Sequence, residues 1–106
     1  MMASAHFDRQ IDVCLTRIAA GLEPHEDLDY TLGDGLLTID FDDGIRFVVN
    51  RQAAARQVWL AAGARAWHYD WDDATQSWVD DRDGHDLYTR IAEVVSAKLG
   101  TPVRLD

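Results

Sequence analysis

The centre of the sequence reads Gln57-Val58-Trp59-Leu60-Ala61. Its aliphatic residues, Val58 and Leu60, alternate with Gln57 and Trp59, and a period of two residues is typical of a β-strand with one face in the core. Trp59 therefore belongs to the outer face of the strand. A large aromatic side chain in that position indicates either a covering segment or a partner surface.

Helical patterns stand at both ends of the chain. The first covers Ser4 to Leu22, with Ser4 as the expected N-cap and Pro24 as the stop. Its apolar residues recur every three or four positions, as one buried helix face requires. They are Phe7, Ile11, Leu15, Ile18 and Leu22. The second pattern begins after Asp86, the expected cap, and ends before Gly100.

Between the helices the period changes to two residues, which predicts short strands separated by tight turns, with glycine at Gly33-Asp34-Gly35 and Asp42-Asp43-Gly44 to supply the positive φ that hairpins need. The predicted strands are Asp29 to Leu32, Leu36 to Asp42, Ile45 to Asn50, Gln57 to Ala62, Trp67 to Asp72 and Ser77 to Val79. Two apolar helix faces and one half-apolar sheet are best buried in two layers. We therefore predict an α+β fold, a two-layer sandwich in which the N- and C-terminal helices pack on one face of a five- to six-stranded antiparallel sheet.

This arrangement predicts a single domain over residues 1–106 and leaves the outer sheet face without a helix. Val103 and Leu105 are expected to pack between the helices. On the outer face we expect Gln57, Trp59 and His68, and we expect Trp59 to be exposed to solvent. Exposed Trp is enriched at protein interfaces, so the prediction is a docking surface.

The formal net charge is −9, and its distribution is uneven. Residues 1–44 contain ten acids but only two bases, Arg9 and Arg17, whereas the remaining 62 residues contain nine acids and eight bases. Such a field repels nucleic acid and anionic membranes and attracts cations or a basic protein surface. No apolar run is long enough to span a membrane and no signal or transit segment is evident, so a cytoplasmic protein is expected.

The sequence lacks the common catalytic motifs. It has no glycine-rich phosphate loop, no Gly-x-Ser-x-Gly and no His-Glu-x-x-His, so an enzyme is not predicted. The single cysteine, Cys14, excludes an internal disulfide and is expected to be a packing residue. The four histidines show no ligand spacing among themselves, and His25, which has acidic neighbours, is the one to test first.

Carboxylates form the one candidate metal-binding surface. At about 100° per residue, Asp8, Asp12, Ala19 and Glu23 fall on one flank of the first helix, a ridge of acids with an alanine gap. Glu26, Asp27 and Asp29 continue it beyond the helix. Hard oxygen ligands suit iron, manganese, magnesium or calcium, but a convex ridge without a closed cage predicts weak and poorly selective binding.

Four further segments form a pattern together with Gln57 to Ala61. They are Leu36-Leu37-Thr38-Ile39-Asp40-Phe41-Asp42-Asp43-Gly44, Val49-Asn50-Arg51-Gln52, Trp67-His68-Tyr69 and Asp81-Arg82-Asp83-Gly84. The set, which spans nearly the whole chain, resembles bacterial frataxins of the CyaY type. The resemblance implies an α-β sandwich with two terminal helices on one antiparallel sheet, in agreement with the layer argument.

The resemblance also implies a function. The family binds ferrous and ferric iron weakly and docks on the cysteine desulfurase of iron–sulfur cluster assembly, with the cluster scaffold protein as a further partner. The metal residues carried over by position are Asp8, Asp12, Glu23, Glu26, Asp27, Asp29 and Asp42. The docking residues carried over are Asn50, Gln57 and Trp59. The expected role is a monomeric regulator of cluster assembly.

Three departures from the family pattern bear on this expectation. Ala19 and Ala20 stand where many bacterial frataxins have adjacent acids, which predicts fewer bound ions. Ala54 replaces a proline usual after the Asn-Arg-Gln motif, and Arg65-Ala66 replaces a glycine pair, changes that affect turns.

Two alternatives stay open at this stage. One is an iron chaperone that delivers iron to the cluster scaffold, with weak ferroxidase activity. The other disregards the resemblance and takes the chain as an acidic interaction module or nucleic-acid mimic.

Overall fold

The computed structural model describes residues 4–105, except for the side chain of Ser4. The predicted N-cap role of Ser4 therefore lies outside the described residues. The elements in chain order are α1 (Ser4–Leu22), β1 (Leu28–Gly33), β2 (Leu36–Phe41), β3 (Arg46–Gln52), β4 (Gln57–Ala62), β5 (Arg65–Asp72), β6 (Ser77–Asp80) and α2 (Leu87–Leu99).

The strands form one six-stranded antiparallel sheet in the order β1-β2-β3-β4-β5-β6. Each strand pairs with its neighbour in sequence, so short turns are sufficient to connect them. The β3–β4 and β5–β6 turns contain no glycine, and Arg56 and Gln76 take the positive φ there, at 53° and 52°. At the β2–β3 turn, Gly44 has a φ of 86°, a conformation that glycine adopts without strain. β3 begins at Arg46 rather than Ile45, because the Ile45 amide donates to the Asp43 carboxylate within the turn.

Both helices pack on the same face of the sheet and enclose one apolar core. α1 contacts β1 and β2, whereas α2 contacts β6. The alternation predicted for the central strand is observed, since Val58 and Leu60 are buried. Tyr69 and Trp78 are the largest fully buried side chains. The predicted two-layer α+β sandwich is therefore confirmed, with six strands.

The end of the chain closes the core between the helices. The Asp86 carboxylate accepts a hydrogen bond from the Thr89 amide and caps α2, as predicted. Gly100, with a φ of 72°, ends the helix in the left-handed conformation. Val103 and Leu105 are then buried, as the sequence predicted.

Two residues of α1, Cys14 and Ala19, are buried in the core. Ala19 is only 5% exposed, which corrects its placement on the acidic flank of the helix. This position therefore belongs to the apolar core and not to the acidic flank. Cys14 is buried, as expected of a packing residue. In the part of the chain that the structure describes, no helix is long and apolar enough to cross a membrane.

Candidate functional site

The seven acids predicted to attract metal, called the acidic ridge here, are separated by the fold into three groups. They are Asp8, Asp12, Glu23, Glu26, Asp27, Asp29 and Asp42. All of them lie on α1, on β1 or in the turns beside these elements, except Asp42, which follows β2. All seven are exposed to solvent.

At the N-terminal end of α1, the side chain of Arg51 from β3 lies beside the ridge. The Arg51 guanidinium lies 3.5 Å from a carboxylate oxygen of Asp8 and 3.6 Å from one of Asp34 in the β1–β2 turn. Asp12 is exposed one turn further along the helix. Arg51 therefore neutralises part of the negative field at this end of the ridge.

A second group lies where α1 leads into β1. Glu23, Glu26 and Asp29 line an open groove of about 530 Å³, together with His25 and Tyr30. The Tyr30 hydroxyl donates a 2.5 Å hydrogen bond to Glu23, and this bond raises the pKa of the phenol. The groove combines several carboxylates with an imidazole, so His25, selected from its acidic neighbours in sequence, does lie among them in space.

A third group meets the end of α2. Asp27 and Asp42 line a groove of about 390 Å³ with Asp43 and Lys98. Lys98 forms an ion pair with Asp43, and this hydrogen bond is the largest cause of a lowered Asp43 pKa. Lys98 lies 55 residues from Asp43 in sequence, so the pairing could not be read from local spacing.

These groups do not form a closed metal cage. Within residues 4–105, no three acids or histidines of the acidic ridge and its neighbours bring ligand atoms within 4.8 Å of one another; the one set that does lies on β6 and the following turn. The ridge is thus an open, negatively charged carboxylate surface without a preformed three-ligand cage in the described residues.

The outer face of the sheet presents a row of side chains across three strands. Asn50 of β3 is paired with Trp59 of β4, and Trp59 is paired with His68 of β5. The Trp59 and His68 rings are stacked, with centroids 4.2 Å apart and planes at 18°. This aromatic pair, together with Asn50, forms a flat polar–aromatic patch without a helix over it.

Gln57 fixes the patch by hydrogen bonds in both directions. Its side-chain oxygen accepts from the Trp59 indole N–H at 2.9 Å, and its nitrogen donates to Asp70 and Asp81, both at 3.1 Å. Asp81 also lies 3.9 Å from the His68 ring nitrogen. The orientation of the indole is therefore set by a network and does not depend on the rotamer of Trp59 alone.

The prediction that Trp59 is exposed needs correction. The side chain is on the outer face, as predicted, but it is half-buried, because His68 covers one ring face and Gln57 occupies the indole N–H. Asn50 and Gln57 are half-buried as well. A partner would meet the remaining face and edge of an indole that is already held in place.

Sequence reasoning missed several contributors to these surfaces. His68 was assigned to the outer face without its stacking role, although its position opposite Trp59 follows from the two-residue turn of Gly63 and Ala64, which pairs Ala62 with Arg65. Arg51 and Lys98 were missed as cations of the ridge, because their acidic partners are distant in sequence. No local signal encodes such pairings.

A family model described as a frataxin-like domain matches residues 1–101 of the chain. The chain belongs to the frataxin-like family. This frataxin-like chain is 36% identical over 102 residues to the iron-sulfur cluster assembly protein CyaY of Thioalkalivibrio sulfidiphilus, covering 96% of the chain and 94% of the relative. The resemblance inferred from the five sequence segments is therefore confirmed.

Solved frataxins share the fold. This frataxin-like chain superimposes on the frataxin from Psychromonas ingrahamii with a TM-score of 0.90 at 28% identity, over 99% of both chains. The trimeric frataxin of Saccharomyces cerevisiae complexed with ferrous iron gives a TM-score of 0.70 at 24% identity, over 95% of this chain and 89% of the yeast chain. The second likeness shows the fold alone.

Proposed function

We propose that this frataxin-like chain regulates iron–sulfur cluster assembly by docking on the cysteine desulfurase, and that it binds iron weakly along the acidic ridge. The curated relative is named as an iron-sulfur cluster assembly protein, which supports the pathway. The observation that carries docking is the uncovered patch of Asn50, Trp59 and His68, held by Gln57. A rigid, half-exposed indole at the centre of a polar network is the kind of residue that dominates interface energies.

The acidic ridge would supply the second part of the interface. Seven carboxylates with few nearby cations create a negative surface, and a basic patch on the desulfurase would be attracted to it. Such attraction speeds association and weakens steeply with ionic strength. Because the ridge acids form no three-ligand cluster in the described residues, iron would be held loosely and would exchange rapidly.

Docking is tested by measuring desulfurase affinity and cysteine desulfurase rate with Trp59→Ala, with and without ferrous iron. We expect affinity to fall at least about tenfold, as for the removal of a hot-spot aromatic side chain. Val13→Ala is a control, because Val13 is an exposed apolar residue, 60% accessible, on α1 in the other layer of the sandwich. An unchanged affinity in Trp59→Ala would exclude the patch as the interface. A cooperative thermal unfolding transition shows that the variant is folded.

The ridge is tested separately with charge reversal. We expect Glu26→Lys to lower desulfurase affinity and iron binding together. Glu93→Lys should change neither, since Glu93 is an exposed glutamate that lies on α2 and pairs with Arg90.

Comparison of the apo and iron-loaded forms distinguishes regulation from delivery. If only the iron-loaded protein changes the rate, the chain acts as an iron donor and the regulatory proposal fails.

A further inference from the structure

The turn between β6 and α2 holds a compact set of metal-ligating side chains that the ridge does not include. One carboxylate oxygen each of Asp80 and Asp83 and a ring nitrogen of His85 all lie within 4.8 Å of one another. β6 is the edge strand opposite β1, so this set lies at the other side of the sheet from the β1 part of the acidic ridge.

Asp80 is the unusual member of the set. It is only 5% exposed, and among the described residues it is the one buried charged side chain. Its Oδ1 accepts hydrogen bonds from the amides of Arg82 and Asp83, at 2.8 and 3.1 Å, which fix the carboxylate in the turn. Its Oδ2 is buried and has no hydrogen-bond partner.

An unpartnered buried carboxylate oxygen is costly and rare in native proteins, so it requires an explanation. A cation beside it would satisfy Oδ2 and offset the repulsion between the Asp80 and Asp83 carboxylates. Asp83 is exposed and gives such a cation a route from solvent.

His85 is held in a geometry that suits a ligand. Its Nδ1 lies 2.6 Å from an oxygen of Asp83, and its Nε2 lies 2.7 Å from the hydroxyl of the fully buried Tyr69. A metal-bound histidine normally donates its other ring N–H to an oxygen, which fixes the tautomer. A neutral His85 would bind through Nδ1 and carry its proton on Nε2, donating to Tyr69.

The tautomer change also affects Arg90. The Nε of Arg90 lies 3.3 Å from Nε2 of His85 and would lose that acceptor. Arg90 keeps its ion pair with Glu93 and its position over the Trp67 ring. The rearrangement therefore involves the three polar contacts of the His85 ring: Nδ1 gives up its hydrogen bond to Asp83 for the ion, the Tyr69 hydroxyl accepts from Nε2, and Arg90 loses its acceptor.

We propose that Asp80, Asp83 and His85 form a binding site for one zinc-like divalent ion, with water completing the coordination. Two carboxylates and one imidazole are a ligand set for zinc or a similar first-row ion, whereas calcium and magnesium prefer oxygen alone. Bound there, the ion ties the end of β6 to the turn that leads into α2. The site is independent of the iron ridge and of docking.

The site is tested by calorimetric titration of the full chain with Zn²⁺ alone. We expect one site whose affinity falls at least about tenfold in Asp83→Asn and in His85→Gln. Asp81→Asn is the matched control, because Asp81 adjoins Asp80 but binds Gln57 instead, and it should change zinc affinity less than about twofold.

A second readout separates direct ligation from a structural effect. One equivalent of Zn²⁺ should shift the imidazole NMR signals of His85 and leave those of His25 in place, in wild type and in Glu26→Gln alike. The proposal is overturned if Asp83→Asn binds Zn²⁺ as tightly as wild type. It is equally overturned if the His25 signals move first, or if Glu26→Gln alone abolishes binding, because zinc would then occupy the acidic ridge.

Discussion

The Trp59 indole stacks on the His68 imidazole, with ring centroids 4.2 Å apart and planes at 18°. The two residues are direct cross-strand partners on β4 and β5. This contact turns an outer-face tryptophan, which would otherwise be mobile in solvent, into a fixed element of the sheet surface. It therefore contributes both to stability and to the preorganisation of the proposed docking patch.

The stacking predicts energetic coupling between the two rings. In a double-mutant cycle of Trp59→Ala and His68→Ala, we expect a coupling free energy of unfolding of about 0.5–1.5 kcal/mol. Urea unfolding of the two single variants and the double variant measures it. Asn50→Ala with His68→Ala is a control pair, since Asn50 and His68 both neighbour Trp59 but are not paired with each other. Strictly additive effects for Trp59 and His68 would show that the stack contributes nothing.

The Asp43–Lys98 ion pair predicts an acid-sensitive stability. The pKa of Asp43 is lowered in the folded protein, chiefly by the hydrogen bond from Lys98 and then by the Ile45 amide. A lowered pKa stabilises the fold above the ordinary value of 3.8, and this contribution is lost as pH falls through the folded-state pKa. We expect the stability of Asp43→Asn to fall less steeply than that of wild type as the pH is lowered.

The measurement is the urea midpoint as a function of pH from neutral to acid conditions. Asp42→Asn serves as the control, because it removes a neighbouring charge and leaves the Lys98 pair in place. If Asp42→Asn flattens the acid limb as much as Asp43→Asn, the sensitivity arises from general charge repulsion and not from the ion pair.

Burial of Cys14 predicts an unreactive thiol. Desolvation raises its pKa from 9.0 to about 12, although the Tyr88 hydroxyl and Arg17 act in the opposite direction. Because the thiolate is the reactive form, we expect native protein at pH 8 to resist a disulfide-exchange reagent and unfolded protein to react rapidly. Colorimetric thiol titration with and without denaturant measures this difference. Rapid reaction of the native protein would contradict the burial.

The raised pKa of Cys14 also predicts how the free energy of unfolding depends on pH under alkaline conditions. A raised thiol pKa means that the Cys14 contribution is complete below the unfolded value of 9.0 and declines as pH rises above it, since only the unfolded chain ionises. Cys14→Ala should remove that part of the alkaline loss, while the tyrosines continue to titrate.

Close packing of the C-terminal tail predicts that Gly21 cannot be replaced. A Cβ at this position would lie 2.3 Å from Leu105 Cδ2 and 2.6 Å from the backbone oxygen of Arg104. Although alanine favours a helix by about 1 kcal/mol over glycine, overpacking costs typically about 1–3 kcal/mol. We expect Gly21→Ala to lower the thermal midpoint.

Ala substitution at Thr16 is the matched control, because Thr16 is exposed on the same helix and gains propensity without a clash. The double variant Gly21→Ala with Leu105→Ala should be less stable than Leu105→Ala alone, since the Arg104 carbonyl still obstructs the new methyl group. A thermal midpoint of Gly21→Ala above wild type would show that the tail moves aside freely.

The sequence alone determined the elements and their layers. Alternation in Gln57 to Ala61 assigned an inner and an outer face, and the three-to-four spacing from Phe7 to Leu22 assigned a buried helix face, because each pattern reports a local repeat of the backbone. The turn glycines and the cap at Asp86 were equally local. For the same reason, the family could be recognised from short segments.

Only the tertiary structure decided which side chains meet. The partial cover of Trp59 by His68, the Asp43–Lys98 pair and the burial of Ala19 depend on strand register and on how closely the layers approach. The Asp80, Asp83 and His85 set was missed although its members lie within six residues, because the turn geometry that brings their ligand atoms together and buries one oxygen of Asp80 is not a repeat. Periodicity specifies faces, whereas charge pairing and desolvation depend on distances between elements, which a single sequence does not encode locally.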